Sequence, residues 1–269
     1  MAETAPVSVV IPCFRCEGTI ARAVESVMRQ ALPPAEILLV EDCSGDGGRT
    51  LNALRELQKT RSEGIIKVIV MEKNGGAAAA RNRGWDAATQ PYVAFLDADD
   101  AWHPDKLKIQ YQWMAGHPDV DICGHQIKVV SSAAEIGSPP EPVAAIRIER
   151  RSWLFSCRFS TISVMLRRDL PFRFEAGKRH AEDYLLWLRI ALNGHDAWRI
   201  EAPYAFCFKP LYGSGGLTEN LWEVEKGELD TYRRIYRERL ISFVAFAGLA
   251  VFSFMKYLRR LALAALRGK

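Results

Sequence analysis

The 269-residue sequence predicts an α/β fold with a mostly parallel central sheet flanked by helices. Short runs of apolar and β-branched residues, suited to buried strands, alternate with segments of helical periodicity between residues 7 and 96. Polar residues gather where these runs end. Hydrophobic residues make up 49% of the chain and charged residues 25%, as in an ordinary globular domain.

The first half of the chain predicts a strand–helix alternation. Strands are expected at residues 7–11, 37–40, 65–71 and 92–96, and helices at residues 19–29, 49–61 and 77–88. Because consecutive strands joined by helical crossovers run parallel, this order predicts a parallel sheet wrapped by helices.

The second half is less regular. A helix is expected from about Pro104, and a Ser/Pro-rich loop covers residues 131–142. Strands are predicted at residues 122–130 and 163–167, and an apolar helix at residues 182–192 that ends at Asn193-Gly194.

In a parallel sheet of this kind, ligands bind beyond the carboxyl ends of the strands. Polar residues or glycines lie at three of the four predicted ends. These ends read PCF at residues 12–14, EDCS at 41–44, KNGG at 73–76 and DADD at 97–100.

The fourth strand end carries three carboxylates, on Asp97, Asp99 and Asp100. Alternating carboxylates suit a hard cation such as Mg²⁺ or Mn²⁺, which commonly shares its oxygen ligands with substrate phosphates. One of the aspartates could instead cap the helix near Pro104, although a cap needs only one. A phosphatase with Asp97 as nucleophile is a further alternative, but such enzymes carry their Asp-x-Asp pair at the first strand.

The other strand ends offer parts of a nucleotide site. Glu41 and Asp42 could accept hydrogen bonds from a base or ribose. The residues Gly75-Gly76 place free backbone N–H groups at a helix start, where anions bind, and Arg81 and Arg83 follow. Neither a Walker A sequence nor a GxGxxG spacing occurs, which argues against an ATPase and a dinucleotide-binding enzyme.

Five segments together resemble the successive motifs of the family 2 inverting glycosyltransferases. They are VSVVIPCFRCEGTIARAVESVMRQ, ILLVEDCSGDG, NGGAAAARNRG, YVAFLDADDAWHPDKL and HAEDYLLWLRI. They lie within residues 7–210, in the family's order and spacing. The resemblance implies the GT-A (Rossmann-like) fold and transfer of a hexose from a UDP-sugar.

The resemblance also implies roles for individual residues. Asp183 would be the catalytic base. The family often has Pro-x-Tyr-Asn after its first strand, whereas this chain has Pro12-Cys13-Phe14-Arg15, so Phe14 can stack on the base but donor-base selectivity is left open. The donor site would comprise Pro12, Asp42 and Arg81 around the nucleotide, Asp97 near the ribose and sugar, and Asp99 on the metal with Asp97 beside it.

The residues themselves are consistent with such a transfer. Charge that builds on a departing diphosphate could be neutralised by a cation at Asp99 and by Arg81. Asp183 could take the proton of the attacking hydroxyl. Acidic residues are also favoured in the first turn of any helix, which is the alternative interpretation of Glu182-Asp183. A sugar-1-phosphate nucleotidyltransferase and an inactive membrane-associated scaffold are the rival functions.

The C-terminal tail is basic and partly apolar. From Lys226 to Lys269 ten basic residues stand against three acidic ones, and residues 240–255 contain only Ser242 and Ser253 as polar side chains. A membrane-spanning helix needs about 20 apolar residues, so this run favours a helix lying at the membrane interface with its basic flanks on anionic headgroups. A spanning helix, or a helix packed on the catalytic domain or a partner subunit, stays open.

These features predict an organisation and a location. Residues 1–218 would form the GT-A catalytic domain, with a nucleotide-binding half at 1–100 and an acceptor half at 101–218, and residues 219–269 the helical tail. The first residues lack a basic secretory signal, and the six cysteines are scattered, which predicts a cytoplasmic protein attached peripherally to the cytoplasmic membrane face. The acceptor would be a saccharide, and we expect a polyprenyl-linked oligosaccharide. No nucleic-acid motif occurs, and self-association through the tail stays open.

Overall fold

The computed structural model describes residues 3–61, 64–132, 135, 137, 144–208 and 221–267. Its first half is the predicted alternation of parallel strands and helices. Each predicted element is confirmed, and the helix at Arg49–Arg61 has the predicted bounds. In chain order the elements are β1 (Ala5–Cys13), α1 (Ile20–Met28), β2 (Pro34–Glu41), α2 (Arg49–Arg61), β3 (Ile66–Val70), α3 (Gly76–Ala87) and β4 (Tyr92–Phe95).

Strands β1, β2 and β4 of this half are largely buried on both faces. Along β1, Val9 and Ile11 face one hydrophobic core, while Val10 between them faces the other. Successive side chains of a strand point to opposite faces, so a sheet covered by helices on both sides needs a continuous apolar run. This requirement explains why the strands read as uninterrupted apolar segments in the sequence.

The second half extends the sheet with a mixture of strand directions. The described strands pair in the order β3-β2-β1-β4-β8-β6-β9-β5, with β7 on β9. Strand β8 runs antiparallel to β4, while β6 and β9 run parallel to each other. The elements are β5 (Ala101–Trp102), α4 (Lys106–Ala115), β6 (Ile122–Val129), β7 (Ala145–Arg147), β8 (Met165–Arg167), α5 (Glu182–Leu192) and β9 (Ala197–Cys207).

The second half departs from the sequence prediction in one strand that is shorter than expected and in three strands, β5, β7 and β9, that were not predicted. The strand expected at residues 163–167 is shorter, because Thr161–Ser163 form a 3-10 turn before β8. Strand β9 was not predicted, although it borders β5, β6 and β7. The predicted loop at residues 131–142 lies mostly outside the described residues.

Helix α3 lies unusually close to the sheet because of a glycine. A Cβ on Gly84 would lie 2.4 Å from Val10 Cγ1 and 3.1 Å from Val40 Cγ2. Only a residue without a side chain allows the helix backbone to approach β1 and β2 so closely. The approach positions the preceding turn of α3, which carries Arg81.

The tail is helical, as predicted, but it forms two helices, α6 (Leu221–Arg237) and α7 (Phe243–Arg267). The chain turns between them, and Arg239 adopts a left-handed φ of 60° there. Helix α6 packs on the catalytic body, where the Tyr232 hydroxyl donates to the Leu154 carbonyl at 3.0 Å. None of the helices that the structure describes is both long enough and apolar enough to cross a membrane. Glu219 and the predicted boundary at 218–219 lie outside the described residues.

Candidate active site

The acidic segment after β4 forms a tight turn. The Asp100 amide donates to the Asp97 carbonyl at 3.1 Å, and the Arg22 side chain donates to the Asp99 carbonyl. The nearby helix α4 begins only at Lys106, and its N-cap residue is Asp105. The alternative prediction that Asp99 or Asp100 caps this helix is therefore wrong.

Arg81 joins this turn to the start of α5. Its guanidinium donates to Asp97 Oδ1 at 2.7 Å and to Glu182 Oε1 at 3.1 Å. The Arg81 side chain is 6% exposed, whereas that of Asp97 is 33% exposed. Because burying a lone charge is costly, the buried Arg81 cation depends on these two carboxylates for compensation. Arg81 thus joins the turn after β4 and the start of α5 in one cluster.

Burial and neighbouring charges shift the pKa values of Arg81 and Asp100. Burial lowers the pKa of Arg81, but the neighbouring charges of Asp97 and Glu182 outweigh this and raise it overall. Burial, followed by the negative charges of Asp97 and Asp99, raises the pKa of Asp100 to about 8. Burial and the two neighbouring carboxylates thus both disfavour the charged form of Asp100.

Asp183 lies beside Glu182 in the first turn of α5. Its Oδ1 accepts from the Tyr184 amide at 2.7 Å, and its Oδ2 accepts from the Thr161 hydroxyl at 3.4 Å. Burial and the charge of Glu182 raise the pKa of Asp183 to about 7, against the lowering effects of the Tyr184 amide and Arg81. A carboxylate with a pKa near neutrality is suited to accept and release a proton.

The Asp42 carboxylate is buried and accepts hydrogen bonds from the start of α3. It is 2% exposed, and its two carboxylate oxygens accept from the amides of Gly75 at 2.7 Å and Gly76 at 2.8 Å. Asn74 Nδ2 donates to the same carboxylate at 3.0 Å. The predicted anion site at Gly75-Gly76 is thus filled by the protein's own carboxylate, which corrects that expectation. A buried acid at a helix N-terminus fixes the start of α3.

The residues after β1 form a separate group. Phe14 is 46% exposed, and the Arg15 guanidinium carbon lies 5.2 Å from its ring centre. The Arg15 side chain donates to the Ser44 carbonyl at 3.0 Å, which ties the β1 and β2 ends together. Pro12 lies within β1, opposite Val40. The contacts described above join Arg81, Asp97 and the Glu182-Asp183 pair, while Pro12, Phe14 and Asp42 lie around the neighbouring strand ends.

The donor set at the turn suits a hard cation that is completed by a ligand. Within the described residues, no group of three or more His, Cys, Asp or Glu side chains is placed to hold a metal alone. Mg²⁺ is commonly bound through one or two carboxylates together with substrate phosphates and water. Asp97 and Asp99 provide such a pair. Their negative charges add to the effect of burial in raising the pKa of Asp100, and a cation would relieve this repulsion. The residues present therefore fit the predicted divalent cation.

Some functional candidates were missed by the sequence interpretation. Glu182 was recognised only as a neighbour of Asp183, and its bond to Arg81 spans 101 positions of the chain. Arg22, which holds the Asp99 carbonyl and stacks 3.8 Å from the Phe208 ring centre, carries no motif signal. Such partners become visible only when the fold brings distant segments together.

The mostly parallel sheet flanked by helices, with acidic residues beyond its strand ends, has the architecture of the GT-A class. The sequence model described as Glycosyl transferase family 2 matches residues 8–175, more than half of the chain. The chain belongs to glycosyl transferase family 2. This membership excludes the nucleotidyltransferase and phosphatase interpretations.

One curated relative and two solved structures show the extent of the similarity. The chain is 31% identical over 224 residues to UDP-Glc:alpha-D-GlcNAc-diphosphoundecaprenol beta-1,3-glucosyltransferase WfgD of Escherichia coli, covering 83% of this chain and 84% of WfgD. The S. aureus TarS 1-349 complex with UDP-GlcNAc gives a TM-score of 0.68 at 20% identity, covering 91% of this chain and 70% of TarS 1-349. The Pyrobaculum calidifontis mannosyltransferase PcManGT, in complex with GDP-Man and Mn²⁺, gives 0.67 at 18% identity, covering 100% of this chain and 77% of PcManGT.

Proposed function

We propose that this enzyme transfers a hexose from a UDP-sugar to a lipid-linked saccharide, with inversion at the anomeric carbon, during assembly of a cell-surface polysaccharide or glycolipid. The observation that carries the proposal is the Arg81 bridge, which brings the carboxylates after β4 next to the Glu182-Asp183 pair. A donor diphosphate and an attacking hydroxyl need these two kinds of group at one place.

Asp183 is the general base of the proposed reaction. The acceptor O–H proton passes to its carboxylate as the acceptor oxygen forms a bond to the anomeric carbon. The bond from that carbon to the diphosphate oxygen breaks, and UDP leaves with the electron pair. One displacement of this kind inverts the anomeric centre. The hydrogen bonds from Thr161 and the Tyr184 amide hold the carboxylate in one orientation.

The transfer rate should depend on pH through Asp183. Its raised pKa, about 7, means that the carboxylate is protonated and inactive as a base at lower pH. We therefore expect kcat/KM to rise with pH up to about 7 and then to level off. A rate profile that is flat between about pH 5 and 8 would contradict the assignment of this base.

Arg81 and the carboxylates at the turn organise the donor. Arg81 fixes Asp97 from one side, and Arg22 fixes the Asp99 carbonyl from the other. Asp99, with Asp97, would hold Mg²⁺ or Mn²⁺, which supplies positive charge to a departing diphosphate. Phe14 offers an exposed ring for stacking with the donor base, and Pro12 and Asp42 shape the strand ends beside it. The Mn²⁺ in the PcManGT complex and the UDP-sugar in the TarS complex support this choice of ligands.

Replacing Asp99 with asparagine should weaken the coupling between cation and nucleotide. Losing even an outer-shell partner typically lowers metal affinity by about 10–100-fold, so losing a ligand should cost at least about 100-fold. Calorimetric titration of UDP with and without Mn²⁺ measures this coupling. Asp105→Asn is the matched control, because Asp105 lies in the same connection between β4 and α4, on the far side of β5, with a side chain that is 41% exposed. Equal Mn²⁺ enhancement in both variants would remove Asp99 from the cation site.

The acceptor is proposed to be a polyprenyl-diphosphate saccharide on the cytoplasmic face of the membrane. WfgD, as its name states, uses UDP-Glc and a GlcNAc-diphosphoundecaprenol. This relative aligns with most of both chains, so its acceptor class is the first to test. An enzyme acting on such an acceptor would be attached peripherally to the membrane.

The direct experiment is a transfer assay with UDP-Glc, UDP-GlcNAc and other UDP-sugars, Mn²⁺, and a synthetic GlcNAc-diphosphopolyprenol. We expect UDP release and a new glycoside whose anomeric configuration, determined by NMR, is inverted relative to the donor. Retention of configuration would contradict direct displacement. Absence of transfer from every UDP-sugar to this acceptor would contradict the proposed substrate classes.

A further inference from the structure

Helix α7 has large apolar side chains on its outward face, where a helix at a protein surface usually has polar ones. Its outward face is formed by large apolar side chains that are 40–79% exposed. We call this the α7 outer face. Its members are Phe243, Val244, Val251, Phe254, Met255, Leu258 and Leu261.

The polar residues of α7 turn inward instead, toward α6. Lys256 forms an ion pair with Glu228, whose side chain is only 8% exposed, and Arg260 Nη2 lies 3.5 Å from Glu228 Oε2. Ser253 and Glu225 are fully buried. Burial raises the pKa of Glu225, as expected for a carboxyl removed from water.

This inversion corrects the sequence interpretation of the basic flanks. Lys256, Arg259 and Arg260 follow the apolar run, and as its basic flank they were expected to contact anionic headgroups. Lys256 and Arg260 instead pair with Glu228, whereas Arg259 is exposed. The helix therefore uses its charges to hold α6 and leaves its apolar side chains outside. A water-facing helix normally does the opposite, because exposed apolar surface is unfavourable.

From this arrangement we infer that the α7 outer face is a docking surface for an anionic lipid bilayer, on which α7 lies parallel to the membrane plane. The helix segment from Phe243 to Leu261 is about 27 Å long at 1.5 Å per residue, so the face forms a continuous strip. An apolar helix face that enters the acyl boundary without crossing it is the usual geometry of a monotopic anchor.

Charges beside the strip favour an anionic membrane. Arg237 and Arg239 are exposed just before α7, and Arg259 is exposed on the border of the outer face. Two copies of this surface paired by a twofold axis would bring a basic surface against itself, which is unfavourable. Anionic headgroups compensate these charges instead.

Aromatic residues mark one end of the same surface. Trp222 is 46% exposed at the start of α6, and its ring centre lies 5.6 Å from that of Tyr257 on α7. Tryptophan and tyrosine combine an apolar body with a polar tip, which suits the boundary between lipid and water.

The docking helix is linked to the segment that carries Asp183. Lys178 Nζ donates to the Gly227 carbonyl at 2.8 Å and to Asp230 Oδ2 at 2.9 Å, both on α6. A Cβ on Gly227 would lie 2.6 Å from His180 Cβ, so α6 packs directly against the residues before α5. Helix α6 therefore contacts both the membrane-facing helix and this segment. On the proposed function, on which this part of the inference rests, the arrangement presents a lipid-linked acceptor to the base.

Vesicle flotation of the full chain tests the inference. We expect binding to vesicles of phosphatidylcholine with phosphatidylglycerol, and binding at least about tenfold weaker to phosphatidylcholine alone, since each basic residue near an anionic surface contributes about 1 kcal/mol. The double variant Val251→Glu/Phe254→Glu should bind at least about tenfold more weakly, because it places carboxylates within the apolar strip. Ile146→Glu on β7, an equally exposed apolar position at 43%, is the matched control and should bind like the wild type.

Three outcomes would overturn the inference. They are wild-type protein that stays unbound, a double variant that binds as well as the wild type, and a dimer in light scattering that the double substitution dissociates. UDP-sugar binding, measured by calorimetry on the same proteins, separates this inference from the proposed function. If the wild type binds the UDP-sugar but does not float with the vesicles, only the proposed membrane surface is refuted. If the wild type does not bind the UDP-sugar, the proposed function is refuted whatever the vesicles show.

Discussion

Replacing Asp183 with asparagine should lower kcat for sugar transfer by about 10²–10⁴-fold, the usual contribution of a general base. The amide keeps the shape of the side chain but cannot take the proton of the acceptor hydroxyl. Because the donor is held mainly at the strand ends, its affinity should stay within about twofold of the wild type. Single-turnover kinetics with a saturating UDP-sugar, together with calorimetric donor binding, measures both quantities.

Asp86→Asn is the matched control for this change. Asp86 is an exposed aspartate on α3 that pairs with Arg173 at 2.7 Å, away from the Arg81 cluster. It should leave kcat unchanged. An Asp183→Asn enzyme that retains the wild-type rate, or one that loses donor binding and rate together, would show that Asp183 has another role.

Replacing Arg81 with methionine should reduce both stability and activity. The change leaves the carboxylates of Asp97 and Glu182 without their shared cation. Removing one partner of a buried ion pair costs about 3–5 kcal/mol, and we expect about 3 kcal/mol because a third of the Asp97 side chain is exposed. For a chain of this size, that corresponds to a melting temperature lower by roughly 6–12 °C. Differential scanning calorimetry measures this change.

The same variant has a second, more specific effect. Arg81 lowers the pKa of Asp183, so its loss should move the pH profile of any remaining transfer toward higher pH. Arg83→Met is the control, because Arg83 lies on the same helix but is exposed. If the two variants have the same melting temperature and the same pH profile of transfer, the Arg81 bridge does not organise the site.

The strand–helix order of the first half is readable from the sequence because each element there is specified locally. Helix α2 has the bounds that its apolar periodicity predicts, and so does α5 in the second half. Strand β9 was missed because its stability comes from β5, β6 and β7, which are distant in sequence, and not from a periodic apolar pattern. The two-residue strand β5 is likewise defined by its pairing with β9.

The site was predictable in its residue types but less so in its contacts. The carboxylates after β4 and the acidic pair at the start of α5 are visible as unusual local sequence. That Arg81 joins them is a property of the fold, since Asp97 and Glu182 lie on either side of it only after α3 packs on the sheet. The use of both Asp42 oxygens by Asn74, Gly75 and Gly76 was equally hidden, because composition does not distinguish a ligand-facing acid from a helix-capping one.

The tail shows a similar limit. Composition identifies an apolar segment with basic neighbours, but the direction in which Lys256 faces depends on where Glu228 lies on α6. The resulting inversion is the strongest indication of a membrane surface, and it arises from the pairing of two helices.

On the proposed function, the turn after β4 holds the diphosphate of a UDP-sugar, with a divalent cation, beside Asp183. A crystal structure of the Asp183→Asn variant with a UDP-sugar and Mn²⁺ provides the sharpest test. We expect an anomalous Mn²⁺ peak in contact with Asp99, the diphosphate on the same ion, and the anomeric carbon facing residue 183. A nucleotide bound away from the β1, β2 and β4 ends, or a Mn²⁺ peak without contact to Asp97 or Asp99, would contradict it.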